Sequence, residues 1–171
     1  MGMRSIRMAR PEDAPVLARA ERSIAEQPGF LASRPDEIKD DDLRQKIVAL
    51  NDHGGGVFLV AEEDGEIVGH GLLQRYKLAV TAHIAELTLA VHRGHQDRGI
   101  GKLLMHALID WARASSRVEK IELRVRSSNQ RAIALYAGLG FVEEGRLKQR
   151  IKLGPESYLD DIAMSLWLGT S

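Results

Sequence analysis

The residues Gln96-Asp97-Arg98-Gly99-Ile100-Gly101-Lys102 form the part of the chain best suited to chemistry with an anion. They lie between an alternating apolar segment and the strongest helical pattern in the sequence. The first amides of a helix have no partner inside it, and the helix dipole adds partial positive charge there. Glycines let a phosphate approach the backbone closely, and Arg98 and Lys102 could add charge-assisted contacts. A diphosphate is the natural occupant, while a plain glycine-containing turn is the alternative that the loop alone leaves open. Two other phosphate-binding patterns do not fit. The pattern G-x-x-x-x-G-K-[ST] fails because Gly94 to Gly99 is followed by Ile100. The dinucleotide fingerprint needs three glycines at G-x-G-x-x-G spacing and a chain-initial parallel unit.

Composition narrows what else the chain can do. It has no cysteine, which excludes a disulfide framework, a thiolate zinc site and a cysteine nucleophile. Its six histidines, at 53, 70, 83, 92, 95 and 106, show no pair at i, i+4, so no metal site is expected. Twenty-four Lys and Arg balance twenty-four Asp and Glu, which removes any whole-molecule attraction to nucleic acid or to an anionic membrane. No apolar run approaches the roughly 20 residues that span a bilayer, and the start lacks the apolar core of a signal peptide. A cytoplasmic setting is the expectation. With 171 residues, 44% of them hydrophobic, residues 1–171 read as one globular domain.

The elements that must position the loop follow from periodicity. Ser5 to Ala9 reads as a strand. Pro11 to about Gln27 and Pro35 to Leu50 read as helices, with prolines and acids in their first turns. Val57 to Ala61 and Ile67 to Gln74 flank an Asp64-Gly65 hairpin signal. Along Ile84 to Val91, Ala85, Leu87, Leu89 and Val91 face one way and Glu86, Thr88 and Ala90 the other. Ile100, Leu103, Leu104, Ala107, Leu108 and Trp111 then fall at helical spacing, to about Ala114. Val118 to Val125 is a strand and Asn129 to Ala137 a helix closed by Gly138 and Gly140. Phe141 to Leu153 and Tyr158 to Leu168 are two final strands. The order predicts a single mixed α/β domain.

Residues 85 to 105, A-E-L-T-L-A-V-H-R-G-H-Q-D-R-G-I-G-K-L-L-M, resemble the central motif of the GCN5-related N-acetyltransferase (GNAT) superfamily. Gln96, Gly99 and Gly101 match its Q/R-x-x-G-x-G/A pattern. Residues 129 to 141, N-Q-R-A-I-A-L-Y-A-G-L-G-F, resemble its second motif. The resemblance covers most of the chain and least constrains residues 12 to 56. It implies a mostly antiparallel sheet of six to seven strands, with a splayed strand pair and about four helices.

The same resemblance implies roles. Acetyl-CoA would be the cosubstrate, without a metal. Leu89, Ala90 and Val91 would bind its pantetheine arm through exposed backbone. The backbone from Gln96 through Asp97, Arg98, Gly99, Ile100 and Gly101 to Lys102 would hold the pyrophosphate. Asn129, Ala132 and Tyr136 would flank the cofactor near its thiol; positions 129, 132 and 136 lie within about 60° around a helix axis. Asn129 also reads as a simple N-cap, and both roles can hold. An amine nucleophile must lose a proton, and the departing thiolate must gain one. Glu86 is the expected base, its other reading being a solvent-facing glutamate on an alternating strand. Tyr136 is the expected acid, its other reading a buried aromatic. The acceptor would be a small-molecule amine, such as an amino acid or polyamine, or a protein N-terminus. A non-catalytic acetyl-CoA sensor is the alternative function, and a homodimer is one assembly the resemblance admits. The acids at 36 to 42 hint at a cationic acceptor. Arg146, Lys148, Arg150 and Lys152 alternate along one strand face and suit a carboxylate, or a charge-guarded edge.

Overall fold

Two prolines set where the first helices begin, and neither lies inside an α-helix. In the computed structural model, which describes residues 2–169, Pro11–Asp13 and Pro35–Glu37 each form a single 3₁₀ turn. Asp13 and Glu37 close these turns by accepting from the amides of Arg10 and Arg34, each at 2.7 Å. Helix α1 follows directly as Ala14–Ala25. Helix α2 waits until Asp40–Asn51, because Ile38 turns extended to bury its side chain and Lys39 becomes the N-cap. The helix expected from Pro35 is therefore a turn and a shorter helix. Its acids stay local: Arg22 pairs with Asp40, Arg44 with Asp41, and all three aspartates from 40 to 42 sit in the dipole-stabilised first turn.

The strands follow period-2 patterning. Strands β1 (Arg4–Met8), β2 (Gly56–Glu63), β3 (Glu66–Arg75), β4 (Ile84–Val91), β5 (Lys120–Arg126), β6 (Val142–Gly154) and β7 (Ser157–Trp167) form one sheet ordered β1-β2-β3-β4-β5-β7-β6. Every neighbouring pair is antiparallel except β4–β5. The two-residue β2–β3 turn uses Asp64 and Gly65, both left-handed at φ 52° and 85°, as a tight hairpin requires. Helices α3 (Ile100–Ala114) and α4 (Gln130–Gly138) complete the set, with a further 3₁₀ turn at Ala79–Thr81.

The sheet is covered unequally. One face packs on α3 and α4 around Leu87, Leu104, Leu108, Ile121, Leu123 and Tyr136. The other packs on α1 and α2 around Leu17, Ile47, Leu50, Phe58, Val60 and Leu72. Asn51 closes this second core: its amide donates to the carbonyls of Ala9 and Phe58 and its oxygen accepts from the amide of Phe58. On that face the charged side chains Glu86, Glu122 and Arg124 lie past Leu72 in register. The stripe expected along β6 is interrupted. Register jumps from Leu147–Asp161 to Ile151–Leu159, and Gln149 takes a left-handed φ of 53°. Lys148 and Arg150 therefore sit in a bulge, and Arg146 is held by Asp160.

Candidate active site

The site begins where two parallel strands part. β4 and β5 pair from Ile84–Lys120 to Leu87–Leu123, and there the pairing ends. β4 nevertheless runs on to Val91 and β5 to Arg126. Thr88 to Val91 therefore present backbone groups with no strand on that side, a ladder open to a ligand. This gap lies within a cleft of about 870 Å³ lined by Leu89, Ala90, Val91, Gln96, Asn129, Ala132 and Tyr136. Ala90 keeps the expected alternation, on the same face as Glu86 and Thr88, but is buried there opposite His70 while those two are exposed.

The loop after β4 turns sharply to enter α3. Asp97 and Gly99 are left-handed, at φ 60° and 81°, and Gly99 is the N-cap of α3. Alternating left- and right-handed residues turn successive amides toward one side, which makes a cradle for an anion. The first loop-to-helix bond is donated by Leu103 to the Gly99 carbonyl. Among the described residues, the amides from Asp97 to Lys102 have no backbone acceptor outside the helix. A side chain at Gly101 would bring its Cβ to 3.2 Å from the tip of Leu135 and 3.5 Å from Val91, so the start of α3 packs closely on β4 and α4 and leaves room there for little more than a methyl group. The Gln96 side chain accepts from the Gly94 amide at 3.0 Å. Lys102 is exposed on the first turn of α3.

Side chains brace this loop. Asp97 pairs with Arg131 of α4 at 2.7 Å, and Arg98 pairs with the buried Glu63 of β2 at 2.8 Å. The Arg98 guanidinium thus points to the sheet edge. Asn129 is the N-cap of α4, accepting from the Ala132 amide at 3.2 Å, and it lines the cleft as well. Tyr136 is 6% exposed, packs on Phe141 with ring centres 5.8 Å apart, and lines the cleft. Burial alone pushes its phenol up to about 12, so it holds its proton at neutral pH.

Glu86 is exposed within an unbroken strand and lines the cleft. It stands beside Glu122 across the parallel pair, a neighbour that periodicity alone did not identify. Lys120 binds Glu122 at 3.0 Å, and the Tyr76 hydroxyl lies 3.5 Å from the same carboxylate. Burial, with help from the charges of Glu86 and Glu122, raises the Tyr76 phenol above its usual range. Further along β5, Arg124 and Arg126 also line the cleft. Arg126 meets Asp161 at 2.9 Å with both side chains buried; the angle is poor for a hydrogen bond, so the pair is an ion contact.

A second polar chain runs under α1. His92 Nδ1 lies 3.1 Å from the Ile67 carbonyl, which only accepts, so this nitrogen carries hydrogen. Burial, followed by the charge of His70, lowers His92 to about 3 and keeps it neutral. Its Nε2 then accepts from His70 Nδ1 at 2.9 Å. His70 Nε2 in turn meets Glu21 Oε1 at 2.9 Å, at the edge of the cleft. His70 and His92 are 22 residues apart, and only the β3–β4 register could have paired them. Among the described residues, no three His, Asp or Glu side chains gather as metal ligands, and no helix is long and apolar enough to cross a membrane.

Comparison with known proteins places this geometry. The chain is 34% identical over 100 residues to the L-amino acid N-acetyltransferase AaaT of Escherichia coli, a match covering 58% of this chain and 62% of that protein. The aligned part is thus a little under two-thirds of that relative's length. It is 30% identical over 135 residues to the L-methionine sulfoximine/L-methionine sulfone acetyltransferase of Salmonella typhimurium, covering 78% of this chain and 77% of that one. Its fold matches the structure of yncA, a putative acetyltransferase from Salmonella typhimurium with its cofactor acetyl-CoA, at a TM-score of 0.89 and 24% identity over 99% of this chain and 96% of that one. Residues 19–141 match the model of the acetyltransferase (GNAT) family, and with the splayed β4–β5 pair and the glycine loop in place, the chain belongs to that family.

Proposed function

We propose that the chain moves an acetyl group from acetyl-CoA directly to the primary amine of a small molecule, an amino acid being the acceptor that best suits the cleft. The parting of β4 from β5 after Leu87–Leu123, beside a loop of unpaired amides, carries this reading. Acetyl-CoA is what the Salmonella structure binds, and its shape fits this chain's features. A diphosphate suits the Asp97 to Lys102 amides at a helix start, and an amide-bearing arm suits the open backbone of Leu89 to Val91. Its thioester supplies an activated acyl carbon and a thiol leaving group. Cytoplasmic location belongs to the same proposal, as does a homodimer.

The residues then divide the proton work. Glu86 takes the proton from the acceptor ammonium, directly or through a water, while the amine nitrogen attacks the acyl carbon. The carbon–sulfur bond breaks, Tyr136 gives its phenolic proton to the sulfur, and the second proton left on the nitrogen passes to the phenolate, directly or through a water, leaving a neutral amide. Unpaired β4 amide hydrogens face the carbonyl oxygen as it gains negative charge. With no cysteine in the chain, nothing favours a covalent acyl-enzyme over direct transfer. Glu86 and Glu122 supply negative charge for the acceptor's ammonium. Arg124 offers a guanidinium group to a carboxylate in the same cleft, whereas Arg126 is already neutralised by Asp161. Both signs together fit an amino acid better than a polyamine. This also agrees with the two relatives, whose names are amino-acid and methionine-derivative acetyltransferases.

The Glu86→Gln variant tests the base. Its kcat is expected to fall about a hundredfold, the low end for a lost general base. Acetyl-CoA affinity should stay within about twofold, since the loop and the splay are untouched. Steady-state kinetics from pH 6 to 9 would check this, and an unchanged kcat across that range would remove Glu86 from the mechanism.

A further inference from the structure

Glu63 is the last residue of β2, at the edge of the sheet remote from the acceptor side, yet it is only 7% exposed. Its two oxygens hold two arginines from different parts of the chain. Oε1 takes Arg4 Nε and Oε2 takes Arg98 Nη2, both at 2.8 Å. Arg4 reaches on and donates from Nη1 to the Arg98 carbonyl at 2.7 Å. The other end of the Arg98 guanidinium faces His95 Nδ1 at 3.3 Å, and that nitrogen lies 4.0 Å from Glu63. One buried carboxylate therefore fixes both the side chain and the backbone of Arg98. Arg98 lies between the two left-handed residues, Asp97 and Gly99, that set the direction of the loop amides.

We infer that Glu63 is a positioning residue for the cofactor's diphosphate. It tethers Arg98 to the sheet so that the amides from Asp97 to Lys102 are already aimed before a ligand arrives. In this arrangement Arg98 is a strut, and the phosphates meet backbone hydrogens. Pre-set donors add affinity because the ligand does not have to order the loop. The inference rests on the reading of this loop as the diphosphate site. It makes a distinction of sign. If Arg98 instead gripped phosphate directly, Glu63 would compete for it, and removing the carboxylate's charge would tighten binding.

The test compares Glu63→Gln with the unaltered protein using two cosubstrates, acetyl-CoA and S-acetylpantetheine, which carries the same thioester without the diphosphate. Calorimetric titration with CoA should show Kd raised about tenfold in E63Q. KM for acetyl-CoA should rise in step, with kcat at saturation within twofold. The kcat/KM for S-acetylpantetheine should not change. Arg98→Gln removes the strut from the loop side and leaves the Arg4–Glu63 pair intact, so it should reproduce the same selective loss. The double variant should be little worse than either alone. CoA binding by E63Q that is equal or tighter would overturn the inference. So would a parallel loss with both cosubstrates, the mark of a merely structural residue. If the unaltered protein does not prefer acetyl-CoA to S-acetylpantetheine, the diphosphate reading of the loop fails first, and the role of Glu63 falls with it.

Discussion

Tyr136→Phe is expected to lower kcat by about a thousandfold, within the usual range for a lost general acid. The phenol lies at the wall of the cleft beside the open end of β4, and burial raises it to about 12. A phenol so placed stays protonated at neutral pH, yet it can give its proton to a thiolate forming within reach. Phenylalanine keeps the ring and its packing on Phe141. Tm should therefore move little, and CoA should bind with nearly the same Kd. The loss should fall on kcat and kcat/KM alike, because the proton is transferred only as the carbon–sulfur bond breaks. A thioester whose thiol is more acidic than CoA needs less help on leaving, so its rate should fall less. Pre-steady-state thiol release with both thioesters would measure this. Equal losses with the two, or a Kd that carries the defect, would assign Tyr136 to packing.

Acid should weaken the fold earlier than carboxylate titration alone would. In the unfolded chain His92 takes a proton near its ordinary pKa of 6.5, whereas in the fold it stays neutral down to about 3. Below 6.5 the unfolded state therefore binds a proton that the native state refuses, and stability falls with falling pH. The slope from this one group is about 1.4 kcal/mol per pH unit, levelling only near the native value. By pH 5 the loss is about 2 kcal/mol on this linkage. The groups that face His92 are His70, which adds to its depression, His95, and Glu21 acting through His70. Paired carboxylates such as Asp13 lie below their usual range and lose their contribution at lower pH. The window from pH 6.5 to 5 thus lies above the carboxylates, and the comparison with His92→Gln separates His92 from the other five histidines. Urea unfolding across it should show a slope that His92→Gln flattens by about 1.4 kcal/mol per unit, whatever its constant offset. Identical slopes for the two proteins would contradict the assignment.

The parts of the fold visible in the sequence are those set by local periodicity. Ile84 to Val91, the glycine loop and the Ile100 to Ala114 helix form one continuous stretch, and each announces its period and its caps. Asp64-Gly65 did the same for the hairpin. What stayed hidden depends on register between distant strands. Glu122 joins Glu86 only because the β4–β5 pair aligns them across the whole of α3. His70 meets His92 only through the β3–β4 ladder, and Glu21 comes down on His70 from α1. Arg98 has the sequence look of a phosphate ligand, since the carboxylate that engages it lies 35 residues earlier, at Glu63. Pro35 misled for a local reason. It starts a turn, but the burial of Ile38 outweighs helix continuation and resets the N-cap at Lys39. The β6 stripe failed because alternation in a long edge hairpin does not reveal a bulge.

Thiol release from acetyl-CoA with a panel of amino acids, polyamines and short peptides, read together with the acetylated product, tests the central claim most directly. Release should depend on added amine, match N-acetylated product one for one, and be fastest with an amino acid. If acetyl-CoA binds but no amine raises thiol release above its background, the chain is a sensor of acetyl-CoA and the proposed catalysis is contradicted.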